Sequence, residues 1–150
     1  MIIRPAYLPK FQRLAAYGVF LAEGHVLLSL LNRGPNRGKW TLVGGGIEHG
    51  EHPEEALIRE AAEEAGLNHV FRPTLIDIVN NNYSFENAQG LQEDGQTIGV
   101  IYRVELEGRV ACRTDPDGSS SDGCRWFLLH EVDETIVSPW VLKVLQKIRS

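Results

Sequence analysis

The chain has 150 residues, 43% of them apolar and 23% charged, with a formal net charge of -5, which suits one globular domain with a real core. No apolar run approaches the roughly 18 residues of a membrane span, and the opening MIIRPAYLPKFQR lacks an apolar signal core, so the expectation is a cytoplasmic protein with no membrane partner. The acidic balance leaves no broad footprint for duplex nucleic acid, so a phosphate-bearing partner is expected to be small and met by local cations.

Taken in order, residues 1–13 hold Pro5 and Pro9 and show no period, which predicts an irregular arm at the start of a single 1–150 domain. The arm could cross to a second subunit, so a homodimer is compatible with the sequence but not required by it. Apolar runs on either side of Glu23-Gly24 predict a β-hairpin with central strands near 15–22 and 25–31. The loop NRGPNRGK from Asn32 to Lys39 brings Arg33, Arg37 and Lys39 together as candidate phosphate or base contacts, against the plainer reading of a solvated turn. Trp40 opens the short apolar segment WTLV and is either core or a stacking platform for a base. Gly44, Gly45 and Gly46 follow, a backbone able to approach a ligand closely.

Pro53 in a first turn, Glu54 and Glu55 near the positive helix end, and Gly66 as a stop predict a helix over Pro53–Ala65. His69 to Val79 reads as a strand interrupted at Pro73, and Asn80 to Gly95 as a long loop. Thr97 to Leu106 is a strong strand, RVACR a second stretch before the loop TDPDGSSSDG, and CRWFLL a return to strand. In SPWVLKVLQKI, Ser138 is the predicted N-cap of a closing helix whose apolar stripe is Val141, Val144, Leu145 and Ile148. Strands, helix, strands, helix is the order of an α/β fold: an α/β/α sandwich with a mixed β-sheet between helices. Cys112 and Cys124 have no metal or redox spacing and read as free thiols.

The chemistry concentrates on the first helix. At about 100° per residue, Glu60, Glu63 and Glu64 share an arc about 100° wide, opposite Ile58, Ala61, Ala62 and Ala65. Like charges so placed repel, and an oxygen-only set of this kind suits a hard cation such as Mg²⁺ or Mn²⁺. A solvated acidic face is the alternative.

The run GGGIEHGEHPEEALIREAAEEAGL resembles the signature of the Nudix (MutT-like) hydrolases at Gly45, Glu51, Arg59, Glu60, Ala61, Glu63, Glu64, Gly66 and Leu67, its fixed positions. The resemblance implies that the Gly44 carbonyl and the Glu60, Glu63 and Glu64 carboxylates hold divalent ions on a pyrophosphate. It implies that Glu51 and Arg59 form a supporting salt bridge, with Gly45 and Gly66 as structural positions. The implied reaction is hydrolysis of a phosphoanhydride in a nucleoside diphosphate linked to another group. Glu60 or Glu64 would activate the water, or a loop acid would, with Asp122 leading and Glu93 and Asp94 behind it. Tyr83 follows the box at a spacing that resembles some dinucleoside polyphosphate hydrolases, and is a candidate substrate contact. The chain departs from many relatives in having Val43 where they have proline, and no glutamate directly before Trp126. A nucleotide-sensing or protein-binding module without turnover is the rival reading.

Overall fold

The computed structural model describes residues 10–68, 71–118 and 121–149. Its elements are β1 (Lys10–Ala22), β2 (His25–Leu31), β3 (Trp40–Gly46), α1 (Pro53–Ala65), β4 (Thr74–Glu86), β5 (Gln92–Glu105), β6 (Ser121–Leu128) and α2 (Pro139–Arg149). The strands form one six-stranded sheet in the order β4-β5-β1-β3-β2-β6. β1 and β5 run parallel, while β1–β3, β3–β2, β2–β6 and β4–β5 are antiparallel. The sheet is therefore mixed, as expected.

Because side chains alternate along a strand, β1 feeds two cores. Ala15, Tyr17 and Val19 pack with Val141, Val144 and Leu145 of α2 on one face. Ala16 and Phe20 pack with Ala56, Leu57, Ala61 and Ala65 of α1 on the other. The result is the α/β/α sandwich. The β1–β2 hairpin turns at Glu23 (φ 51°) and Gly24 (φ 74°), a positive pair suited to a tight two-residue turn. It pairs only at Leu21–Val26 and Ala22–His25 before β3 enters between the two strands.

Helix α1 starts and stops where its residues dictate. The His52 Nδ1 accepts the Glu54 N–H at 3.0 Å, and Glu55 Oε1 accepts the His52 N–H at 3.0 Å, so an imidazole fills the capping-box role usual for Ser or Thr. Gly66 ends the helix at φ 70°. The buried face differs from the expected one. It comprises Ala56, Leu57, Ala61, Glu64 and Ala65, while Ile58 is 47% exposed. Leu57, Ala61 and Ala65 follow each other at i, i+4 spacing and set the inward direction, and Glu64, three residues after Ala61, falls inside the same stripe. The acids thus do not share one outward arc.

Four other expectations are corrected. Residues 10–13, assigned to an irregular arm, begin β1 and pair with β5, and the remainder of that arm lies outside the described residues. Asn80 to Gly95 is not a long loop. It is the β4–β5 hairpin, paired from Asn80–Ile98 out to Glu86–Gln92, and the Asn-rich composition hid an alternation in which Tyr83 and Phe85 share one face. Its tip is closed by Asn87 Oδ1, which accepts the N–H groups of Gln89 and Leu91. The stretch RVACR is coil, held by Arg113 N–H to the Ala65 carbonyl at 2.7 Å and Cys124 N–H to the Arg113 carbonyl at 2.7 Å. Ser138 stands in the N-cap position, its carbonyl accepting the Leu142 N–H at 3.1 Å, but its buried Oγ finds no hydrogen-bond partner among the described residues and makes no side-chain cap. Two further expected segments touch undescribed positions, His69 with Val70 and Ser119 with Ser120.

Leu57 is fully buried between helix and sheet. Leu57→Ala is expected to lower stability by about 3 kcal/mol, read as a shift of the urea midpoint at unchanged slope.

Candidate functional site

The loop that joins β3 to α1 is tied to the helix by one guanidinium. Arg59 Nε donates to Glu51 Oε2 at 2.9 Å and Nη2 to Glu51 Oε1 at 3.0 Å, a two-pronged pair. Nη2 also donates to the Gly46 carbonyl at 2.9 Å. Nη1 reaches Glu60 Oε1 at 3.0 Å and Glu63 Oε2 at 3.4 Å. The Glu48 N–H adds a third donor to Glu51. Arg59, with help from that N–H, holds the Glu51 carboxyl at about 2, and Glu51 in turn raises the Arg59 guanidinium.

Behind this knot the sheet is thinned by glycine. A methyl on Gly45 would meet the Glu60 carboxyl carbon at 2.7 Å, so that acid lies directly on the strand backbone. On the opposite side a methyl on Gly44 (φ 151°) would lie 2.1 Å from the Ala16 carbonyl and 2.7 Å from the Tyr17 Cα. Glu64 is 4% exposed. Burial pushes its carboxyl up to about 8, with nearby Glu60 and Asp117 adding to the rise, against opposing hydrogen bonds from the Ser29 hydroxyl and the Gly44 N–H. Burial also raises Glu60, opposed by Arg59.

Glu64 and Gly44 form part of the wall of a cleft of about 920 Å³ that also takes in Arg33, Arg37, Tyr83 and Phe85. The candidate contacts Arg33, Arg37 and Tyr83 are thereby brought to one space with Glu64, while Glu60 and Glu63 do not line it. Lys39 and Trp40 are not on that wall. The Lys39 Nζ donates to the carbonyls of Glu134 at 2.9 Å and Thr135 at 3.4 Å. The Trp40 ring packs edge-on to Phe127 at 4.9 Å and beneath the Arg125 guanidinium at 4.9 Å, a core and strand role.

The loop acids are redistributed as well. Asp122 is exposed and accepts from Asn32 Nδ2 at 3.0 Å, outside the cleft wall. Glu93 accepts from Asn87 Nδ2, Asp94 accepts from the Ser84 hydroxyl, and neither lines the cleft. The loop acid whose charge bears on Glu64 is Asp117, whose Oδ1 accepts the Ser121 N–H at 3.3 Å. Nothing in the DPDG sequence separated Asp117 from its neighbours. Arg13, Tyr17 and Phe85 also line the cleft and were not singled out from sequence. Cys112 and Cys124 are free thiols, and Cys124 is pushed up to about 12 by burial.

The donor set of Glu60, Glu63, Glu64 and the Gly44 carbonyl is all oxygen, the chemistry of a hard-cation site. Among the described residues no three acidic, imidazole or thiol groups stand close enough to hold a cation as placed. The cause is visible: Arg59 draws Glu60 and Glu63 to itself and Glu64 turns inward. The Glu63 side chain is 60% exposed and joined to Arg59 by a 3.4 Å contact, so a rotamer change can turn it toward the others. The chemistry of this donor set suits a divalent cation, which would require Glu63 to turn toward Glu60 and Glu64.

A NUDIX domain model matches residues 12–148. The chain belongs to the Nudix hydrolase family. This Nudix chain is similar to the nucleoside triphosphatase NudI of Salmonella agona strain SL483, 46% identical over 100 residues that cover 62% of this chain and 68% of that protein. It spans 60% of the length of other NudI relatives that it matches. In fold it is like the MutT NUDIX hydrolase from Burkholderia pseudomallei, with TM-score 0.72 at 24% identity over 92% of this chain and 98% of that one. It is equally like the NUDIX domain of Shewanella oneidensis NrtR, complexed with ADP ribose, with TM-score 0.72 at 23% identity over 93% and 87%. No described helix is long and apolar enough to cross a membrane.

The buried Glu64 gives the cation-free Nudix domain a pH signature. Its folded-state value, about 8, lies above the ordinary glutamate value of about 4.5, so between the two the folded state holds a proton that the unfolded state has released. Stability from this group is fully present below about 4.5 and is lost as pH rises through about 8, at up to about 1.4 kcal/mol per pH unit. In chelator-treated protein, Glu64→Gln is expected to flatten that fall, as read by denaturant unfolding at several pH values. An equally steep fall in the variant would contradict the assignment.

Proposed function

We propose that this Nudix domain is a divalent-cation-dependent pyrophosphohydrolase that cleaves a phosphoanhydride in a nucleoside diphosphate linked to another group. The observation that carries the reading is the buried Glu64 beside Gly44 in the wall of a cleft of about 920 Å³. The Gly44 carbonyl, Glu60, Glu63 and Glu64 would hold Mg²⁺ or Mn²⁺. A cation there supplies charge neutralisation for the phosphoryl oxygens. Arg59 keeps Glu60 and Glu63 from repelling one another and fixes the loop that presents Gly44. Glu60, raised by burial and seated on the Gly45 backbone, is suited to take the proton of the attacking water.

Arg33 and Arg37 supply positive charge at the cleft wall, and Tyr83 and Phe85 supply aromatic surface against which a base can stack. The relatives named NudI are nucleoside triphosphatases, which puts nucleoside triphosphates first among substrates to try. A cytoplasmic location, where such nucleotides are abundant, agrees with this reading.

The test is a panel of nucleoside triphosphates, nucleotide sugars, ADP-ribose and dinucleoside polyphosphates with Mg²⁺ or Mn²⁺. Turnover of at least one compound is expected, with complete loss on chelation. Glu63→Gln combined with Glu64→Gln is expected to lower kcat by about a thousandfold, equivalent to several kcal/mol of transition-state stabilisation. Undiminished activity in that variant, or without metal, would refute the mechanism. A folded wild-type preparation that binds nucleotides and turns over none would favour the sensing module.

A further inference from the structure

Arg13 enters the cleft from β1, on the far side of the glycine strand from α1. Its register is fixed by parallel pairing to β5, where Arg13 lies opposite Thr97 and Tyr17 opposite Ile101. A methyl on Gly46 would lie 3.7 Å from the Arg13 Nε and 3.9 Å from its Nη2, so the guanidinium rests on the strand that carries Gly44. Its charge bears on Glu60 and on the Tyr17 hydroxyl, which it lowers against the rise from burial, and the Tyr17 Cα and ring edge lie against Gly44.

The cations around the acids are otherwise committed or loosely carried. Arg59 is bound to Glu51, and Lys39 to two backbone carbonyls. Arg33 and Arg37 sit on an exposed Gly-Pro loop. Arg13 is exposed, rigidly mounted, and paired with no carboxylate among the described residues. A guanidinium beside a neutral phenol keeps most of its donors for a ligand, and its planar fork matches a phosphate oxygen pair.

We propose that Arg13 is the substrate-positioning cation of this cleft, binding non-bridging phosphate oxygens of the nucleotide while Tyr17 holds its fork in place. The inference rests on the pyrophosphohydrolase reading for the substrate class, but its test is independent of turnover. Tyr17 fixes the direction of the fork; the two oxygens it meets belong to the phosphate chain whose anhydride lies over Glu60 and Glu64.

The test measures calorimetric binding of an α,β-methylene nucleoside triphosphate with Mg²⁺, together with KM and kcat on the best panel substrate. The variants are Arg13→Gln, Arg13→Lys and, as a charge control outside the cleft, Arg103→Gln, whose side chain pairs with Glu105 at 2.7 Å. Arg13→Gln is expected to weaken the analogue by about tenfold to a hundredfold and to raise KM by a similar factor, with kcat changed less than about threefold. Arg13→Lys recovers part of that loss, since it restores the charge and not the fork. The thermal midpoint stays unchanged, because Arg13 is exposed.

Equal behaviour of Arg13→Gln and Arg103→Gln would overturn the proposal. So would a loss confined to kcat, or a wild-type protein that does not bind the analogue. A wild-type protein that binds the analogue through Arg13 and hydrolyses nothing would support this inference while refuting the catalytic one.

Discussion

The Arg59 guanidinium is the interaction on which the site depends, because it joins the loop after β3 to the acidic face of α1. One end grips Glu51 with two hydrogen bonds and the Gly46 carbonyl, and the other touches Glu60 and Glu63. Without it, three carboxylates on adjacent turns would repel, and the segment from Gly46 to Glu51 would have few ties to the helix. Its partner Glu51 is held at about 2, so the clamp remains ionised across the physiological range. The same guanidinium nitrogen meets both Glu60 and Glu63, so their charges are neutralised at one point. The same contact thus holds Glu60 and Glu63 in the arrangement from which the proposed cation site would have to close.

The second constraint is thinness. At Gly45 the sheet admits Glu60 from the α1 side, and at Gly44 and Gly46 it admits Tyr17 and Arg13 from the α2 side. Side chains at these positions would fill the space through which acid, carbonyl and guanidinium approach one another. Glu64 then occupies a stripe otherwise made of alanine and leucine, a polar group where the core pattern calls for an apolar one. A local rule broken in this way is the pattern expected where stability is given up for chemistry.

Much of this was legible beforehand. Pro53, the early acids and Gly66 bounded α1 correctly because capping and proline chemistry act locally. The long signature around Arg59 identified the family because it constrains many positions at once. The expected fold class follows from the same alternation of apolar runs, and the sheet and two helices agree with it. What escaped was set by pairing across the chain. Asn80–Gly95 looked like loop because asparagine and glycine disfavour strands, yet Asn80 to Glu86 pair with β5 residue by residue and only the tip between the strands is turn. Arg13 looked like part of an arm until β5 fixed its register. Asp122 read as the leading loop acid, but it lies in β6 and accepts from Asn32, while Asp117, which nothing in the sequence singled out, is the acid whose charge bears on Glu64. Lys39 and Trp40 are near the acids in sequence, but the turn into β3 directs them to Glu134 and Phe127 instead.

The central claim is that Glu60, Glu63, Glu64 and the Gly44 carbonyl make one divalent-cation site beside an Arg59 clamp that stays closed on Glu51. A crystal structure of the protein soaked in Mn²⁺, with anomalous diffraction collected to locate the ion, tests this most directly. The expected result is a strong anomalous peak within coordination distance, about 2 Å, of oxygens from this set, with the Arg59–Glu51 pair intact. A peak elsewhere on the molecule, no peak at saturating Mn²⁺, or an Arg59 side chain displaced from Glu51 would contradict it.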